Sequence, residues 1–261
     1  MSVVTAALVQ LAIDDGEPID ARVTRTIDLT AETARDADLV VLPELWHIGA
    51  FALTLARDHA EPLDGEIVTS LRRVAADAGT WIHAGSIVEA APDGRYYNTS
   101  VLIDADGGIA ATYRKIHLFG FDVGERTVIS EGESLAVVDT ILGPTGLATC
   151  YDLRFPELFR ALVSEGAQAF LISSGWPSAR IGHWSLLARA RAVENQAYVL
   201  ACNEVGTHAG VTLGGKSVIV DPRGEVLAEA GSGEEVIAAA LDLDVVTNWR
   251  RDFPVLPDRR L

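Results

Sequence analysis

The sequence predicts an α/β fold: two β-sheets packed face to face, with helices on the outside. Two observations carry this. Strand and helix patterns alternate at the start of the chain, and after a run of turn-linked strands the same order of elements returns in the second half. The chain has 261 residues, 49% of them apolar, so it can bury a real core, built mostly from small aliphatic side chains.

Val3 to Ala12 is apolar and β-branched and reads as a buried strand. Asp20 opens a helix with Val23, Ile27, Ala31 and Ala34 on one face. Ala37 to Leu42 is a second strand, ending at Pro43-Glu44. From about Glu66 a helix carries Ile67, Leu71, Val74, Ala75 and Ala78, and Gly79 stops it. Trp81–Glu89, Tyr96–Asp104 and Ile109–Tyr113 are strands joined by Pro92-Asp93-Gly94 and Asp106-Gly107-Gly108, which is hairpin chemistry. The polar stretch Phe119–Ser134 lies between a lysine motif and a cysteine motif and reads as a functional loop.

In the second half, a strand ends at Leu147-Ala148-Thr149-Cys150. Pro156 then starts a helix with Leu158, Phe159, Leu162 and Val163 inward, and Gly166 ends it. Ala169–Ser173 is a strand. His183–Gln196 is a helix with Leu186, Ala190, Val193 and then Ala197 on its expected inner side. Tyr198–Asn203, Ser217–Asp221, Val226–Glu229 and Val236–Ala240 are strands, with Pro222-Arg223-Gly224 as a turn. No domain boundary is visible, so residues 1–261 read as a single domain with 243–261 as a C-terminal arm, a surface or interface element.

The formal net charge of -16 speaks against nucleic acid and anionic membrane surfaces as partners. No apolar run approaches the ~20 residues of a membrane span. Two cysteines and no basic, apolar leader favour a reducing cytoplasm. Asn98-Thr99-Ser100 matches a glycosylation acceptor, which without a leader is a chance match.

Three segments place reactive groups at strand ends. In Leu42-Pro43-Glu44-Leu45-Trp46, Glu44 stands where a partly desolvated carboxylate serves as a general base. In Tyr113-Arg114-Lys115-Ile116-His117, Lys115 can stabilise an oxyanion and favours a nearby thiolate. In Thr149-Cys150-Tyr151-Asp152, Cys150 lies at a tight strand-to-helix turn that exposes its side chain and offers backbone N–H groups. Each segment alone is as well explained by a surface charge or a core cysteine.

Taken together and in this order, these segments resemble the nitrilase superfamily of carbon–nitrogen hydrolases. The resemblance spans essentially the whole chain and includes His183-Trp184, Ala190-Arg191-Ala192-Val193-Glu194-Asn195-Gln196 and the Gly215–Glu225 hairpin. It implies a four-layer α-β-β-α sandwich of two mixed sheets flanked by helices. It also implies Cys150 as nucleophile, Glu44 as base and then acid, and Lys115 with the Tyr151 backbone N–H as oxyanion holders. A second loop carboxylate is expected at Glu131, with Glu125 and Glu133 nearby. Cys150-Tyr151-Asp152 looks like the amidase branches, and Trp176-Pro177 to Trp184 is similar to the ω-amidase-like branch, which acts on ω-amides of small 2-oxo dicarboxylic acids. The alternatives are a deaminated-glutathione amidase, an N-carbamoyl hydrolase, or a silent binding protein on the same scaffold. The resemblance and the tail also suggest a homo-oligomer, a dimer or larger.

Amide hydrolysis through a thioester needs no metal or organic cofactor, and none is expected. No zinc-ligand spacing occurs. Gly210 to Ser217 matches the phosphate-loop pattern, but a strand and a turn follow where that pattern requires a helix. Lys216 could still face the substrate, Cys202 reads as core, and His117 stands behind Lys115 at best. Trp46, Trp176 and Arg180 are candidates for substrate contact, Arg180 as partner of a substrate carboxylate. Arg154 is expected to pair with Glu157 or Asp152 instead.

Overall fold

A computed structural model describes residues 3–120 and 124–260. Met1-Ser2 of the N-terminus, 121–123 of the long loop and Leu261 of the tail lie outside the described residues.

The first sheet is built from β1 (Val3–Gln10), β2 (Leu39–Val41), β3 (Trp81–Ala90), β4 (Tyr96–Ile103), β5 (Ile109–Arg114) and β14 (Glu235–Asp242), in the order β14-β1-β2-β3-β4-β5. The second uses β6 (Val137–Thr140), β7 (Gly143–Thr149), β8 (Ala169–Ser173), β9 (Tyr198–Cys202), β12 (Val218–Val220) and β13 (Val226–Glu229), in the order β13-β12-β9-β8-β7-β6. Each sheet has three parallel strands at its centre, β1-β2-β3 and β7-β8-β9, flanked by antiparallel ones. A two-stranded ribbon, β10 (Thr207–His208) with β11 (Val211–Thr212), completes the strands among the described residues.

Helices α1 (Ile19–Thr33) and α2 (Glu66–Ala78) cover the first sheet. Helices α3 (Pro156–Ser164) and α4 (Ile181–Asn195) cover the second. Leu8, Val41, Leu147, Leu171 and Leu200 meet between the sheets. The predicted four-layer α-β-β-α sandwich is thus the observed one. Parallel central strands need helical crossovers, and the alternating first stretch of each half supplies them.

Two helix faces differ from expectation. On α4, Leu186 is 67% exposed and Val193 51%, while Trp184, Ala188, Arg191, Ala192 and Asn195 turn inward. Small Ala188 and Ala192 let the helix lie close to β9, and Arg191 is buried because its guanidinium donates to the Leu153 carbonyl. On α1 the buried residues are Arg22, Thr26, Thr30 and Ala34, with Val23 and Ile27 half-buried. Arg22 satisfies its donors on the Asp14 and His47 carbonyls and on Glu17. The tail forms α5 (Asp244–Asp252), whose Arg250 donates to the carbonyls of Ala167, Asn195 and Gln196 and so docks on the end of α4.

Candidate active site

The reactive side chains leave the carboxyl ends of strands in both sheets, where an open α/β sheet places its ligands. Glu44 follows β2, Lys115 follows β5, and Cys150 follows β7. The turn holding Glu44 lies directly on β3. Gly85 has φ +66°, and a Cβ there would sit 1.9 Å from the Pro43 carbonyl oxygen, so glycine alone permits the approach. Ser86 Oγ then accepts the Leu45 N–H at 3.0 Å.

Cys150 opens a 3₁₀ turn, Cys150–Arg154, with φ 48°, a left-handed conformation for a non-glycine residue. Asp152 holds that turn. Its buried carboxylate accepts the Thr149 N–H at 2.8 Å, the Tyr113 hydroxyl at 2.8 Å and the His117 N–H at 3.1 Å, and the His117 ring nitrogen lies 2.7 Å away. His117 therefore supports the cysteine turn from behind and stacks on Phe155, with centroids 3.8 Å apart.

Lys115 is 1% exposed and bridges two carboxylates. Its Nζ donates to Glu44 Oε1 at 2.7 Å and to Glu125 Oε2 at 2.6 Å. Glu44 Oε2 accepts the Gly175 N–H at 2.9 Å, and Glu125 Oε2 accepts the Phe119 N–H at 2.7 Å. Asn98 Nδ2 donates to Oε1 of both, at 2.8 Å each. Burial works against the ammonium, but Glu125, Glu44 and then Cys150 outweigh it and hold the Lys115 pKa well above the ordinary value. Burial pushes the Cys150 thiol well above its usual value, and Glu44 adds to this against Lys115 and the Ser174 hydroxyl. Burial thus opposes the thiolate that the lysine alone favours. Glu125 is raised by burial first, with Lys115 opposing and Glu44 reinforcing.

These groups open into a pocket of about 220 Å³, lined also by Phe51, Phe119, Tyr151, Arg154, Trp176 and Arg180. Arg154 lies over the Trp176 ring at 4.6 Å, and Arg180 over Phe119 at 5.7 Å. Neither guanidinium forms an ion pair with a described residue; Arg154 reaches only the His183 Nδ1 at 3.4 Å.

Several expectations change. Glu131 is exposed and paired with Arg126, outside the pocket, whereas the 3₁₀ turn Glu125–Thr127 swings Glu125 inward onto Lys115. Trp46 is fully buried under α2, its indole N–H on the Ala84 carbonyl at 2.9 Å, and does not line the pocket. Arg154 pairs with neither Glu157 nor Asp152 and lines the pocket instead, because Asp152 is already saturated by the turn. Lys216 faces away, pairing with Glu229 at 3.0 Å, and its segment runs into β12 rather than a helix. Trp176, Tyr151 and Arg180 do line the pocket, and Cys202 is core, its thiol on the Val9 carbonyl.

Asn98 and Glu204 escaped sequence reasoning, and Glu125 was placed behind Glu131 as the loop carboxylate. Asn98 was visible only as a glycosylation match. Glu204 is fully buried behind Gly175, with neither oxygen in a regular hydrogen bond among the described residues. Burial and then Glu44 raise its pKa well above the usual carboxylate range.

The family model for carbon–nitrogen hydrolases matches residues 5–251. The chain is 45% identical to a 2-oxoglutaramate amidase of Paenarthrobacter nicotinovorans over 97% of this chain and 88% of that one. It is 35% identical to a 2-oxoglutaramate amidase of Bacillus subtilis, over 98% of this chain and 97% of that one. Among solved structures, that of Saccharomyces cerevisiae Nit3, a member of branch 10 of the nitrilase superfamily, superposes with a TM-score of 0.89 at 34% identity, covering 99% of this chain and 97% of that one. The chain belongs to the carbon–nitrogen hydrolase family, as an amidase of the nitrilase superfamily.

Proposed function

We propose that the protein hydrolyses the ω-amide of a small 2-oxo dicarboxylic acid, with 2-oxoglutaramate as the type substrate, to the free acid and ammonia. The carrying observation is a pocket with a thiol, a carboxylate and an ammonium at its base and two guanidinia, Arg154 and Arg180, on its wall. The pocket of about 220 Å³ accommodates a short acid amide, whose far carboxylate and 2-oxo group suit the arginines. The similarity to the two 2-oxoglutaramate amidases supports the same substrate.

The chemistry runs in two halves. Cys150 Sγ attacks the amide carbon while Glu44 takes the thiol proton. Lys115 Nζ and the Tyr151 backbone N–H hold the oxyanion. Glu44 returns the proton to the amide nitrogen, ammonia leaves, and a thioester remains. Water, deprotonated by Glu44, adds to the thioester; the acid departs and the thiol regains the proton. Glu125 keeps Lys115 charged and aimed throughout. A raised thiol pKa suits this cycle, because the sulfur ionises only as Glu44 takes its proton.

The test is ammonia release from 2-oxoglutaramate, succinamate, glutamine, a deaminated peptide amide, an N-carbamoyl amino acid and a simple nitrile. 2-Oxoglutaramate is expected to give the highest kcat/KM, with no release by Cys150→Ala. A higher value for the N-carbamoyl or peptide substrate would replace the proposed substrate class.

The same reading implies a reducing, cytoplasmic setting, in which the nucleophile stays a free thiol, and a self-associating chain. The exposed apolar Leu186 and Val193 of α4 support association between copies. A monomer alone in sedimentation at micromolar concentration would remove the second point.

A further inference from the structure

Asn98 is a strand residue whose two side-chain donors are both committed to the site. Its main-chain carbonyl accepts the Lys115 N–H at 2.9 Å, which fixes where the lysine leaves β5. Its two side-chain hydrogens go to Glu44 Oε1 and Glu125 Oε1, at 2.8 Å each. Both partners are acceptors, so the amide nitrogen must face them, and the orientation of the group is fixed by the network. Asn98 is fully buried, and its own Oδ1 finds no hydrogen-bond partner among the described residues. A buried amide left half-satisfied is a cost that packing alone does not explain.

Counting lone pairs gives the consequence. Each carboxylate oxygen offers two. Glu44 Oε1 spends both, on Lys115 and Asn98. Glu44 Oε2 spends one, on the Gly175 N–H, and keeps one. Glu125 Oε2 spends both, on Lys115 and Phe119, and Glu125 Oε1 spends one, on Asn98. Without Asn98, Glu44 would have an open site on each oxygen, and Glu125 Oε1 would be bare.

We infer that Asn98 is a positioning residue that ties the two carboxylates together and confines proton transfer to Oε2 of Glu44. This rests on the assignment of Glu44 as the base. The groups facing the carboxylate pair are Lys115, Cys150 and, behind Gly175, the buried Glu204. Asn98 is the uncharged member that donates to both carboxylates at once.

The experiment compares wild type with Asn98→Ala and with Asn98→Asp, which keeps the shape and replaces the donors. Ammonia release gives kcat and KM across pH, iodoacetamide gives the alkylation rate of Cys150 across pH, and thermal melting checks the fold. Asn98→Ala is expected to lower kcat roughly ten- to a hundredfold with KM changed by less than about threefold, the split expected of a group acting on the chemical step. Its acid limb moves to higher pH, since two donors are lost from the charged pair. Asn98→Asp is expected to lose activity on the alkaline side, because the new carboxyl ionises beside Glu44 and Glu125 and carries a proton to donate, one where Asn98 gives two, only at lower pH. Unmoved pH limbs in both variants, or a loss confined to melting temperature, would overturn the inference. If no amide is turned over even by wild type, the substrate reading fails by itself. The alkylation profile of Cys150 then decides on Asn98: a displacement of at least about half a pH unit in Asn98→Ala supports it, and superimposable profiles refute it.

Discussion

Cys150 and Cys202 are the chain's two thiols, and their surroundings separate them. Cys150 lines the pocket, whereas Cys202 is wholly enclosed between the sheets, its pKa raised mainly by burial. Iodoacetamide is therefore expected to modify Cys150 alone in the folded protein; mass spectrometry finding both labelled at equal rates would contradict the site. Arg154 and Arg180 make a second residue-scale prediction. Losing a bidentate guanidinium costs about 1.5–3 kcal/mol of binding, so Arg154→Ala should raise KM for a 2-oxo acid amide at least about tenfold, with a smaller change for a neutral amide. Equal losses on both substrates would mean that the arginine only shapes the wall. At this scale Glu44, Lys115 and Cys150 were legible, because each ends an apolar run at a motif. Glu125 was not, since the loop holds three glutamates and no periodicity ranks them. Arg154 was misread because neighbours in sequence looked like partners, while Asp152 was committed to the cysteine turn.

Elements aim these residues. The β3 bulge at Gly85 brings the Pro43-Glu44 turn onto the sheet, and any Cβ there collides with the Pro43 carbonyl. Gly85→Ala should destabilise the protein by about 2–4 kcal/mol and, in the folded fraction, lower kcat more than it raises KM. A variant with wild-type melting and kcat would show that the close approach is dispensable. Strand positions were read well from alternation and turn residues, because apolar runs bounded by Gly, Pro and Asp leave little choice. The faces of α1 and α4 were read less well. Both helices bury arginines, and α4 shows leucine and valine to solvent. Hydrophobic periodicity finds the inner face only when the inner face is the apolar one.

The whole molecule should be acid-sensitive for a definite reason. His47 and His83 are fully buried, and neither ring nitrogen has a hydrogen-bond partner among the described residues. Burial lowers their pKa values from 6.5 to about 3 and about 4 respectively. The unfolded chain binds these protons first, so the stability they allow is complete above 6.5 and drains away as pH falls toward the folded values. By about pH 4 each costs on the order of 3 kcal/mol. His83→Gln is expected to flatten the dependence of melting temperature on pH between about 7 and 5, read by calorimetry; an unchanged slope would clear His83 of the role.

The base and the nucleophile stand on opposite sides of the inter-sheet core. Glu44, Asn98 and Lys115 come from the first sheet, and Cys150 and Gly175 from the second. Turnover thus reports how the two slabs are seated on each other, a coordinate set by the whole inter-sheet core as well as by the few polar bridges at the site. A displacement of about 1 Å between them costs on the order of a hundredfold in rate. Leu171→Ala, far from the pocket, should therefore behave as a kinetic mutant while the chain is still folded, and in rising urea catalysis should fade before the helical signal does.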